Sequence, residues 1–115
     1  MKYLLDTCII SELTKPDPNP NVLTWLDAIS SDDLFLSVIS IGEIRKGISK
    51  LPSSRKKEQL NHWLNSLINE YGDHILPIDI TTAENWGIIQ AKAERAGTPM
   101  PTIDGLISAT AYTNN

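Results

Sequence analysis

A chain of 115 residues, 41% hydrophobic and 21% charged, has the size of one domain, 1–115, and buries about two thirds of the surface its unfolded form exposes. Its formal net charge of −4 lacks the global basic excess of a typical nucleic-acid binder, and its one cysteine, Cys8, rules out an internal disulfide framework and suits a reducing cytoplasm. No apolar run approaches the ~20 residues of a membrane span, and Asp6 inside the first apolar stretch argues against a signal peptide.

In chain order, KYLL is expected as a short buried strand closed by Asp6. CIISELTK follows with Ile9, Ile10 and Leu13 at helical spacing, ended by Pro16, Pro18 and Pro20. NVLTWLDAI sets Val22, Trp25, Leu26 and Ile29 on a second helix. LFLSV is a second strand, and ISIGEIRKGISKL a helix with Ile41, Ile44 and Ile48 on one stripe, with Glu43 near its start. Ser40-x-x-Glu43 has the form of a capping box. After Pro52, a long amphipathic helix carrying Leu60, Trp63, Leu64, Leu67 and Ile68 ends near Gly72. HILPID is a third strand, and Thr81–Glu84 a capping-box pattern opening a helix that stops at Gly97. Thr102 is expected to cap the last helix, IDGLISATAY. Strands alternating with helices give an α/β class with a parallel sheet. The order ends on a helix, where parallel sheets normally cross over to another strand.

Three carboxylates stand out: Asp6, Glu43 and Asp104. Each has a routine structural explanation: an N-cap, a solvated partner of Ser40, and a charge suited to a helix dipole. Together, at strand ends and helix starts on one edge of a parallel sheet, they suit a hard divalent cation. Two carboxylates ~4 Å apart repel by about 4 kcal/mol at an effective dielectric of ~20, so such a cluster is expected to need a cation. Asp79 is expected as a cap. Thr7 either caps or supports the site. His62 and His74 lack partners at zinc-ligand spacing, and Cys8 is expected as a buried structural thiol. Trp25 and Trp63 are assigned mainly to the core. Arg45, Lys46, Lys50, Arg55, Lys56 and Lys57 hold six of the ten basic residues, as a solvated helix face or a phosphate-contacting edge.

YLLDTCIISEL, SVISIGEIRKGI and PMPTIDGLISATA, in that order and spacing, resemble the PIN-domain ribonucleases, in particular the VapC-type toxins of bacterial toxin–antitoxin pairs. The resemblance runs from Met1 to about Tyr112. It implies a three-layer α/β/α domain with a mainly parallel sheet, Mg²⁺- or Mn²⁺-dependent cleavage of RNA such as tRNA, a cognate antitoxin partner, a homodimer and a cytoplasmic location with no membrane association. Asp6, Glu43 and Asp104 match the family's first three acidic metal ligands, and Thr7 the hydroxyl residue after the first. Cys8 stands where the family usually has Asn. The family also continues into a further strand with a fourth acidic residue, so the last strand or strands are expected to be missing from this chain. The alternative is a catalytically silent PIN-like module that binds an antitoxin or other protein without cleaving RNA. Phosphatases with an aspartate nucleophile need a second Asp two residues on, where this chain has Cys8.

Overall fold

The computed structural model describes residues 1–114. Among these residues three short strands, β1 (Tyr3–Leu4), β2 (Leu34–Ser37) and β3 (Ile75–Leu76), form a parallel sheet in the order β1-β2-β3. Tyr3 pairs with Leu34 and Leu4 with Phe35; on the other side Leu36 pairs with Ile75 and Ser37 with Leu76. Six helices connect and cover them in a three-layer α/β/α arrangement: α1 (Thr7–Glu12), α2 (Pro20–Asp27), α3 (Val38–Ser49), α4 (Arg55–Tyr71), α5 (Ile80–Arg95) and α6 (Thr102–Thr113). The strands run in one direction, so their C-terminal ends share one edge, and there the chain reaches Asp6, the start of α3 and Asp79.

The core is built from the predicted stripes. Leu5 and Ile10 from the first strand–helix unit, Leu34 and Leu36 from β2, Ile44 and Ile48 from α3, and Leu64 and Leu67 from α4 form one buried cluster. Trp63 is partly buried against it, whereas Trp25 of α2 remains 39% exposed and meets Tyr3 edge-on at 5.4 Å. Arg45 ties α3 to α4, donating from its two terminal nitrogens to Asn61 Oδ1 at 2.6 Å and Asn65 Oδ1 at 3.2 Å. Lys57 donates Nζ to the carbonyls of Ser49 and Leu51 where α3 ends. His74 donates from Nδ1 to the Leu34 carbonyl and stacks on Phe35. The helices α4 and α5 stop at glycines with φ of 47° and 76°, Gly72 and Gly97, a backbone region that favours glycine.

Several local expectations are corrected. Cys8 is exposed, because the short helix α1 buries only Ile10 and Cys8 falls on its outer side. Ser40 does not cap: Ser37 does, accepting the Ile39 N–H, and α3 begins three residues earlier than a Ser40 cap would place it. Glu43 therefore lies in the second turn of α3, not in its opening. Likewise Asp79, as expected, caps α5 and displaces the Thr81–Glu84 box. Thr102 is the first residue of α6, with Pro101 at the cap position and no side-chain cap bond. The long third strand shrinks to Ile75–Leu76, since His74 belongs to a 3₁₀ turn and Pro77 follows.

The Asp79 cap has a measurable pH signature. The Thr82 N–H it accepts holds its carboxyl below the ordinary value of 3.8. A depressed folded-state pKa gives stability that is complete above the unfolded value and is lost as pH falls through the folded one. Asparagine caps as well as aspartate but does not titrate. Below pH 3.8 the melting temperature of Asp79→Asn is therefore expected to fall less steeply than that of the parent, and scans at several acidic pH values check this.

Candidate functional site

The site is assembled from the ends of three elements. Asp6 leaves β1 in an extended conformation and caps α1, its Oδ1 accepting the Ile9 N–H at 2.9 Å. Its carboxylate is exposed, so capping occupies one oxygen and leaves the other open. Thr7, the first residue of α1, reaches across to α3: its hydroxyl donates to Glu43 Oε1 at 2.6 Å and lies 3.1 Å from the hydroxyl of Ser40. Thr7 has one hydroxyl hydrogen, which the carboxylate takes, so Ser40 completes the chain by donating to Thr7. Ser40 is fully buried, and that bond gives its hydroxyl the partner burial demands. A relay of two hydroxyls thus fixes one oxygen of Glu43 beside the residue that follows Asp6.

Asp104 lies in the first turn of α6, exposed, on a helix that packs against both α5 and α3. Gly105 allows the close approach to α5, for a Cβ there would sit 2.8 Å from Gln90 Oε1 and 3.0 Å from Trp86 Nε1. Glu43 and the Asp6–Thr7 pair are thus brought together, while Asp104 stands on the neighbouring helix. Among the described residues no three His, Cys, Asp or Glu side chains converge closely enough to grip a metal ion. The donor set itself, carboxylates and a hydroxyl with no nitrogen or thiolate, is hard oxygen chemistry that fits Mg²⁺ or Mn²⁺, and both Asp6 and Asp104 are exposed.

Beside Thr7 and Glu43 a cleft of about 860 Å³ opens between the end of α1, α3 and α4. Leu13, Ile44, Ile48, Leu60 and Trp63 give it an apolar lining, with Lys15 and Lys56 as its cations. Lys15 is paired with Glu12 at 2.8 Å, and that contact holds the Glu12 carboxyl below its ordinary value. Neither the cleft nor Gly105 was singled out from the sequence, and Ser40 was singled out only as a cap. A glycine inside a helix, where it costs ~1 kcal/mol against alanine, was the available sign of a close approach at Gly105. Ser37 and Ser40 both precede Glu43, and only the register of α3 decides which caps and which is buried.

Thr7→Val keeps the shape of the side chain and removes the hydroxyl, so Glu43 loses its fixed rotamer and Ser40 its acceptor. Groups that orient a ligand from one shell out typically contribute 10- to 100-fold to affinity or activity. Thr7→Val is expected to weaken Mn²⁺ binding, read by isothermal titration, by roughly that factor, and Thr7→Ser to restore it.

A family model described as PIN domain matches residues 3–115. Toxin FitB of Neisseria gonorrhoeae is 38% identical over 109 residues, covering 94% of this chain and 78% of that protein. The VapC ribonuclease Y4jK of Sinorhizobium fredii is 32% identical over 109 residues, with the same two coverages of 94% and 78%. Among solved structures, that of FitAcB from Neisseria gonorrhoeae superposes with a TM-score of 0.90 at 37% identity, covering 96% of this chain and 81% of that one.

Proposed function

The chain belongs to the PIN domain family, with VapC- and FitB-type toxins among its homologues, and on that premise we propose that it is a divalent-metal-dependent endoribonuclease, the toxin of a toxin–antitoxin pair. The observation that carries the proposal is the hydrogen-bonded link from Thr7 to Glu43, which draws α3 onto the strand end that bears Asp6. Asp6, Glu43 and Asp104 would hold Mg²⁺ or Mn²⁺, with Thr7 as support. The bound ion supplies a water of lowered pKa and charge stabilisation on the phosphoryl oxygens. The chain's own contribution is to present these carboxylates at an open edge of the sheet, to restrain Glu43 through Thr7 and Ser40, and to leave one oxygen of Asp6 free. RNA such as tRNA is the proposed substrate, and a homodimer in the cytoplasm the proposed form.

The apolar cleft supports the partner assignment. An antitoxin segment with apolar side chains would bury the lining around Trp63, and a cationic side chain on it would reach Glu43, covering the site. The likeness to the solved FitAcB structure supports this reading.

The test is cleavage of total bacterial RNA by the purified protein with Mn²⁺ and with excess chelator. Fragments that need the metal support the ribonuclease. Metal binding by titration with intact RNA would point instead to the silent module, for which the supporting observation is that no three His, Cys, Asp or Glu side chains converge among the described residues.

A further inference from the structure

Of the six basic residues between Arg45 and Lys57, two are committed inside the protein. Arg45 bridges to Asn61 and Asn65, and Lys57 closes the end of α3. Lys46 and Lys50 are exposed, and the only ion pair among the described residues is Lys15 with Glu12, so neither has a carboxylate partner.

Their place on α3 is specific. At about 100° per residue, Lys50 lies about 20° and Lys46 about 60° to one side of Glu43. Gly47, Leu51, Ile44 and Ile48, which line the cleft, lie about 40° to 140° to the other side. Glu43 thus marks a divide along α3, with the apolar cleft on one flank and two free ammonium groups on the other. Measured along the helix axis the lysines follow Glu43 by about 4.5 Å and 10.5 Å, a stepping comparable to that of successive phosphates on an extended strand.

We propose that Lys46 and Lys50 form a phosphate track that holds the RNA strand as it leaves the cleavage site, on the flank of α3 opposite the apolar cleft. The proposal rests on the ribonuclease reading above. It also explains how an acidic protein holds a polyanion: the global charge of −4 matters less than two unpaired cations next to the carboxylates. The competing role for both lysines is to complement the carbonyl end of the α3 dipole, since Lys46 is in the last turn and Lys50 is the C-cap.

The test measures binding of a short mixed-sequence single-stranded RNA with a terminal fluorophore, in Mg²⁺ and across a salt series. Asp6→Asn serves as the parent so that the probe is not cut. Lys46→Gln/Lys50→Gln in that parent is expected to bind about tenfold more weakly at low salt. Its salt slope should be smaller by about 1.4, at ~0.7 per lost contact on a single strand. Lys2→Gln removes one such charge just before β1 and is expected to leave the slope unchanged. An unaltered slope in the double variant, or an equal loss in Lys2→Gln, overturns the track. A lower melting temperature with unaltered RNA binding assigns the lysines to the helix dipole and overturns it as well. If the parent itself shows no salt-dependent binding, the ribonuclease reading falls too; if the parent binds and the lysine variant binds like it, the track alone falls.

Discussion

Asp6→Asn is expected to abolish metal-dependent RNA cleavage while leaving the metal-free melting temperature unchanged. The two halves of this result come from the two oxygens of one side chain. Oδ1 accepts the Ile9 N–H and starts α1. Asparagine offers the same carbonyl oxygen at an N-cap, so α1 and the Thr7 bridge beside it remain. The charge, however, is gone, and a hard divalent ion loses a carboxylate for which a neutral amide is a poor substitute. Outer-shell losses already reach 10- to 100-fold, so a direct ligand is expected to lower the cleavage rate at fixed Mn²⁺ by at least ~100-fold. Asp6→Ala removes the cap as well and should lower both activity and melting temperature. Fragment yield against time, alongside thermal scans without metal, separates the outcomes. Undiminished cleavage by Asp6→Asn would remove Asp6 from the site. Carboxylates crowded together without a cation would instead make the asparagine variant more stable, but in this structure the three do not converge, so that gain is not expected.

Leu64→Ala is expected to produce the largest loss of stability. Leu64 is fully buried in the cluster shared by β2, α3 and α4, where its neighbours are held by the sheet on one side and by the Arg45 clamp on the other. A site restrained on both sides collapses poorly around a cavity, which puts the cost toward the upper part of the 2–5 kcal/mol range for such truncations. In a domain of this size ~3–4 kcal/mol corresponds to a drop of roughly 10–25 °C in melting temperature. If Mn²⁺ binds as proposed, it is expected to raise the melting temperature of parent and variant by similar amounts, because Leu64 belongs to the core cluster and not to the proposed ligands. Calorimetry of both proteins with and without metal checks this. A loss confined to metal-bound protein would mean that Leu64 acts on the site and not on the core.

Much of this architecture was legible because its signals are local. Ile41, Ile44 and Ile48 read as a stripe at helical spacing, and Ile44 and Ile48 are buried where the stripe says. Gly72 and Gly97 end helices for the reason any sequence reader would give. The PIN-like α/β/α class followed from alternation of elements and from three motif blocks. What was not legible depends on register and on contacts across long separations. A start of α3 three residues earlier turns Ser40 from a cap into a buried donor, and nothing near it in sequence reveals that its partner is Thr7, 33 residues away. Cys8 looked buried because its neighbours are apolar, yet a helix of one and a half turns has only one inward face. The placement of Asp104 relative to Glu43 depends on how α6 settles on α3 and α5, and Gly105 packs α6 against Trp86 and Gln90 of α5, a contact that no motif announces.

The membership of the core has a further consequence. Its buried cluster and the partly buried residues packed on it come from segments between Tyr3 and Ile75, and none comes from α5 or α6. Those two helices pack chiefly on each other, with α3 as the principal further support of α6. A hairpin held in this way opens at a lower free energy than the body it rests on, as a cooperative unit of its own. Asp6 and Glu43 belong to the body, Asp104 to the hairpin. The amides of α5 and α6 should therefore exchange with solvent faster than those of β2, α3 and α4. An ion bridging the two parts would slow that exchange, making the third carboxylate a reporter of how tightly the chain's two cooperative units are joined.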